Sequence, residues 1–225
     1  MGQALGTVLP LAVAVAIFPV PVIAAVLLVG SDGGRAKGAA FALAWVAGLG
    51  TLGVAVLAFA HRADASEDGE PATWVSVVLL ALGLLAWAAA AKQWRGRPRA
   101  GEVAATPGWM RTVDDFSLAR AAGAGFALTA LNPKNVLLTA AAAVEIAELG
   151  LPAGRQLAAL AVFVLVASLG VLAPLALTVA LGARAQGVLD GLRAWMARHN
   201  AALMTVLLLL IGAKLVGDAV TGFFG

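Results

Sequence analysis

Six long apolar runs, separated by short polar stretches, constrain this chain more than any other feature. At 1.5 Å of rise per helical residue, about 20 apolar residues cross the roughly 30 Å hydrocarbon layer of a bilayer. The runs near residues 4–29, 38–60, 73–91, 118–145, 155–182 and 200–222 meet that requirement. A hydrophobic share of 62%, a charged share of 12% and a mean hydropathy of +0.96 exclude an ordinary soluble domain. The expected fold class is an all-α integral membrane protein with six transmembrane helices. No Lys or Arg precedes the first run, which outlasts a signal-peptide core, so it is expected to remain as a span.

Basic residues orient the spans. Arg35 and Lys37 lie in the first loop, Lys92, Arg95, Arg97, Arg99, Arg111 and Arg120 in the third, and Arg184, Arg193 and Arg198 in the fifth. The second and fourth loops hold only Arg62 and Arg155. Positive residues mark the cytoplasmic side, so odd loops face inward and both termini outward across the cytoplasmic membrane. The acidic cluster Asp64, Glu67, Asp68 and Glu70 then faces out. A pI near 10.0 thus reflects membrane orientation and not nucleic-acid binding. Cysteine is absent, which removes disulfides, thiolate catalysis and Cys-ligated metals. The two histidines, His61 and His199, stand at predicted span ends beside charges, and no metal or cofactor is expected. The spans hold no Ser/His, paired-carboxylate or metal-ligand constellation, so no enzyme is expected.

Two spans are interrupted. The first contains "FPVPVI" with Pro19 and Pro21, and the fourth contains "LNPKNV" with Asn132, Pro133, Lys134 and Asn135. Each is followed by a Gly-containing basic connection, "GGRAKG" and "LPAGRQ", and the third and sixth spans share Leu-rich runs ending in Gly. Three spans per copy is an odd number, so two copies insert with opposite orientation. The single membrane domain 1–225 then divides into a first three-helix repeat, 1–95, a cytoplasmic loop, 96–117, and a second repeat, 118–225, with helices 1 and 4 broken at prolines. Broken segments in matching halves of an inverted repeat point to a transporter's binding site.

If both breaks sit near the midplane, two half-helix N-termini converge there, each carrying partial positive charge. Such ends favour an anion. Lys134 adds a full charge, and Asn132 and Asn135 add amide donors and acceptors. The expected substrate-binding residues are Pro19, Pro21, Asn132, Pro133, Lys134 and Asn135. Each also has a plainer reading: Lys134 can tie helices together, the prolines can be packing kinks, and Asn132 can be a helix cap. Lys214 and Asp218 lie on one face of the sixth span, and Asp32 and Arg35 share the first cytoplasmic loop. These four are candidates for proton coupling or gating, set against an exposed intrahelical pair and simple turn chemistry. Ser168 and Pro174 suggest a polar seam, unless Ser168 bonds its own helix. Trp45, Trp74, Trp94, Trp109 and Trp195 fall mostly near span ends, as interface anchors do.

"FPVPVIAAVLLVGSDGGRAKGAAFALAWVAG" resembles the first signature of the lysine-exporter (LysE) superfamily, and "GAGFALTALNPKNVLL" its second. The fuller "LNPKN", with "ASLGVLAPLALTVALGARAQGVLDGLRAWMARHN" downstream, resembles the GAP family, the SfLAP-like glycopeptidolipid and sulfolipid-1 addressing proteins of actinobacteria. The likeness covers essentially the whole chain. It implies a six-span exporter that moves lipids or lipid-linked glycans toward the cell envelope, with Pro19, Pro21, Asn132, Pro133 and Lys134 as functional positions. Val20 replaces the superfamily's usual Gly between the prolines, which argues against amino-acid export.

The functional expectation is a flippase-like transporter exporting an amphipathic, anionic lipid or glycolipid by alternating access. Export of amino acids or small metabolites is one alternative, and a non-transporting scaffold of a lipid-export machine is another. Expected partners are membrane lipids, the lipid substrate, a larger export machinery and a second copy of the chain packed through small-residue faces such as "RAAGAGFA".

Overall fold

The computed structural model describes residues 2–64, 73–97, 113 and 115–224. Their regular elements are all helical: α1 Gly2–Ala16, α2 Pro19–Gly30, α3 Gly34–Asp64, α4 Thr73–Arg95, α5 Leu118–Ala130, α6 Pro133–Glu148, α7 Ala153–Leu181, a 3-10 turn Gly182–Arg184 and α8 Ala185–Phe224. Glu67, Asp68, Glu70, Trp109 and most of the expected loop 96–117 lie outside the described residues.

Three stretches are long and apolar enough to cross a membrane: Gly34–Ala60, Ala153–Leu181 and Ala201–Phe223. A fourth arises if α1 and α2, bent by 55° at their break, form one span. The other two apolar runs are helical as well, as α4 and as the pair α5 and α6, but are not among these spans. Large apolar side chains point outward along the long helices, Leu43 and Phe59 being 70% and 73% exposed. Such faces suit a hydrocarbon surround and not water, and the chain is a multi-pass membrane protein.

Two compact units divide the chain. One comprises Met1–Ala65 and Thr106–Ala194, the other Ser66–Ala105 and Trp195–Gly225. The grouping cuts across the two expected repeats, since each contributes to both units.

In the larger unit α3 packs on α2, α5, α6 and α7, while α1 packs on α6 and α7, and α2 on α7. Without a hydrophobic drive between helices in lipid, close backbone approach supplies much of the cohesion, and small residues permit it. A methyl group on Gly125 of α5 would strike the Phe41 carbonyl of α3. One on Gly170 of α7 would strike the Ala16 carbonyl at the end of α1, and one on Gly48 of α3 the Thr129 hydroxyl of α5. The Gly125 of "RAAGAGFA" therefore serves packing within one chain. From Pro19 to Val29 every residue of α2 except Val20 is buried. Its far end closes a small apolar cluster of Val26 and Val29 with Ala185 and Leu189. Gly33, at φ +68°, makes the left-handed turn from α2 into α3.

In the smaller unit α4 and the later part of α8 run antiparallel. Ser76 faces Gly222, Gly83 meets Gly212 and Val216, and Trp87 lies on Gly212 with its indole N–H donating to the Leu209 carbonyl at 3.2 Å.

Gly125→Val and Gly170→Val are each expected to lower stability by about 1–3 kcal/mol through overpacking against backbone that cannot yield. Gly123, which meets nothing within 4 Å, is the control: Gly123→Ala is expected to match or exceed wild type. Thermal midpoints of the three variants in detergent check this, and equal midpoints would refute the packing account.

Candidate functional site

The two helix breaks differ in chemistry. At the first, α1 ends at Ala16 and α2 begins with Pro19 directly after Phe18, which caps without a side-chain hydrogen bond. Pro19 and Pro21 occupy the first and third helical positions, so two of the N–H groups that a helix start normally presents are missing. At the second break, α6 begins with Pro133, and the Asn132 side chain accepts from the Lys134 N–H at 3.1 Å. Asn132 is thus the helix cap that its type and position suggest. Proline has removed donors from the first of these N-termini, and a side chain occupies a donor of the second.

What joins the breaks is Lys134. Its ammonium donates to the Ala14 carbonyl at 2.9 Å and lies 4.3 Å from the centroid of the Phe18 ring. Ala14 is in the last turn of α1, where helical carbonyls lack an intrahelical donor. Its partner in a continuous helix would be the Phe18 N–H, which instead bonds the Val15 carbonyl at 3.2 Å. Asn135 does the equivalent for α5: its Nδ2 donates to the Leu128 carbonyl at 2.8 Å. Side chains of "LNPKN" therefore satisfy carbonyls at the ends of both α1 and α5. Among the described residues no ion pair joins Lys134 to a carboxylate; its contacts are a neutral carbonyl and an aromatic face.

Enclosure differs as well. Phe18 is 6% exposed and Pro19 is fully buried, whereas Leu131 is 79% exposed and Pro133 is exposed beside it. Asn135 is fully buried, with its Oδ1 meeting no protein donor. One turn on, the buried Thr139 hydroxyl is likewise unpartnered, as is the indole N–H of Trp45 on α3. Trp45 is 1% exposed and stacks near Phe41, so it is a core residue and not the interface anchor that its distance from a span end suggested. Trp94 and Trp195 are half-exposed, in keeping with the anchor reading.

The other predicted site residues lie apart from this constellation. Asp32 and Arg35 are exposed, and no ion pair joins them among the described residues. Arg35 instead donates to the Thr178 carbonyl near the end of α7, at 3.5 Å, a cation at a helix C-terminus. Lys214 and Asp218, in the smaller unit, form a partly exposed pair at 3.2 Å. Ser168 bonds the Val164 carbonyl of its own helix at 2.7 Å. Sequence reasoning missed Phe18, Ala14 and Thr139. Thr139 carried a usable signal, since it follows Asn135 by one helical turn; the contact with Ala14 carried none.

A family model described as Sap, sulfolipid-1-addressing protein (SfLAP), matches residues 8–221, a range that contains both breaks. No curated protein and no solved structure matches the chain. With nearly its whole length covered, and with the "LNPKN" break on which the expected GAP membership rested inside the match, the chain belongs to the sulfolipid-1-addressing protein family.

Proposed function

We propose that this protein translocates an amphipathic, anionic lipid or glycolipid across the cytoplasmic membrane by alternating access, with Lys134 as the group that receives the anion. The observation that carries the reading is a lysine held among apolar helices with no carboxylate partner among the described residues. A charge at that depth is costly unless it is used, and a substrate anion would supply the missing counter-charge. The family's description names a sulfolipid, whose sulfo group is a fixed anion. An apolar surround supports a lipid over a zwitterionic amino acid: Phe18, Val22 and Ile23, at and just after the first break, are all buried.

The same proposal takes the chain as six spans in two inverted repeats, an exporter of the lysine-exporter superfamily with both termini outside. Pairing within the larger unit supports this. The last turn of α1 packs on Gly170 of α7, and the last turn of α5 packs on Gly48 of α3, each broken helix resting on the unbroken helix of the opposite repeat. Membrane lipids, a larger lipid-export machinery and a second copy of the chain are its proposed partners. Lys214 and Asp218, joined at 3.2 Å, are read as a pair internal to α8.

In liposomes carrying a fluorescent anionic lipid, wild-type protein is expected to exceed empty liposomes, and Lys134→Ala to lose at least about tenfold, equivalent to ~1.4 kcal/mol. Asp218→Asn is expected to leave translocation near the wild-type rate, since the pair is internal to α8. Wild-type protein no faster than empty liposomes would replace the carrier with the scaffold reading.

A further inference from the structure

Trp45 on α3 and Asn135 and Thr139 on α6 carry three buried polar atoms without protein partners, and α3 packs on both α5 and α6. Asn135 and Thr139 stand one turn apart on the same face of α6. Trp45 is bracketed on α3 by Phe41, which meets Gly125 of α5, and by Gly48, which meets Thr129. That places it level with Leu128, whose carbonyl takes the Asn135 amide. Each side chain is at most 1% exposed. An orphaned polar group in an apolar surround costs on the order of 1–3 kcal/mol, so three together call for a common explanation.

We infer that these three residues form a hydroxyl-binding station, distinct from Lys134, which receives a neutral hydroxyl of a lipid headgroup. The chemistry of the atoms sets the class. The indole N–H only donates, the amide Oδ1 only accepts, and the threonine hydroxyl does both. A hydroxyl satisfies the set by accepting from Trp45 and donating to Asn135, with Thr139 completing either role. An anionic oxygen is disfavoured, since it would face the Asn135 carbonyl oxygen. This deepens the proposed function and rests on it for the lipid: Lys134 takes the charge of the headgroup, and the station reads whether the headgroup also carries hydroxyls.

Binding is measured as thermal stabilisation of the full chain in phosphatidylcholine nanodiscs, because a species that binds the folded state raises its midpoint. The probes are glucosyl diacylglycerol, phosphatidylglycerol and triacylglycerol, which separate a sugar hydroxyl, a glycerol hydroxyl beside a phosphate, and a lipid without a free hydroxyl. Wild type is expected to be stabilised by at least one of the first two beyond the third. Thr139→Val and Trp45→Phe are each expected to weaken that binding by roughly five- to tenfold. Without probe, Thr139→Val is expected to match or exceed the wild-type midpoint, since it removes a polar group that had no partner. Stabilisation that is equal for all three probes in wild type, or unchanged in both variants, overturns the station. A Thr139→Val midpoint below wild type with probe binding intact also overturns it, in favour of a structural water. The transport reading is judged separately by translocation and Lys134→Ala, so selective binding without translocation would sink that reading and leave the station standing.

Discussion

Within a bilayer no water reaches the backbone, so each carbonyl and N–H that a helix break releases must find a partner in the protein. The rest of this structure depends on how that requirement is met. A continuous helix would bond Ala14 to Phe18 and Leu128 to Asn132, and both pairings are lost where the prolines intervene. Lys134 and Asn135 restore one acceptor each, from adjacent positions in one short motif. The motif that disrupts the fourth apolar run is therefore also what seals the ends of α1 and α5. A residue with that duty cannot be exchanged for Ala or Leu without leaving a buried carbonyl bare.

Glycine makes the arrangement compact. Gly170 lets the backbone of α7 meet the end of α1, and Gly125 lets the backbone of α5 meet that of α3, on surfaces that admit no side chain. Lys134 can reach Ala14 because α1 and α6 are themselves in contact. Packing and polar satisfaction are thus one solution: the small residues bring the breaks close, and the lysine occupies the space between them.

Much of this was legible in the sequence, and the rest was hidden for identifiable reasons. The helix starts at Pro19 and Pro133 and the cap by Asn132 follow from local rules that act over a few residues. The Lys134 contact with Ala14 spans 120 positions and obeys no period, so nothing local foretold it. Trp45 was misplaced because tryptophan's preference for membrane interfaces is a statistical tendency, whereas its burial is set by the α3 face that Gly48 brings against α5. Asp32 and Arg35 are near in sequence, yet α3 starts at Gly34 and turns Arg35 toward the carbonyl end of α7.

The unequal enclosure of the two breaks has a directional consequence. Around Phe18 and Pro19 the chain is closed, while Leu131 and Pro133 stand open to the surroundings immediately beside Lys134. On the proposed reading, a headgroup whose acyl tails stay among neighbouring lipids meets the lysine from that open flank. The second break is thereby the open side of the constellation and the first its closed back wall.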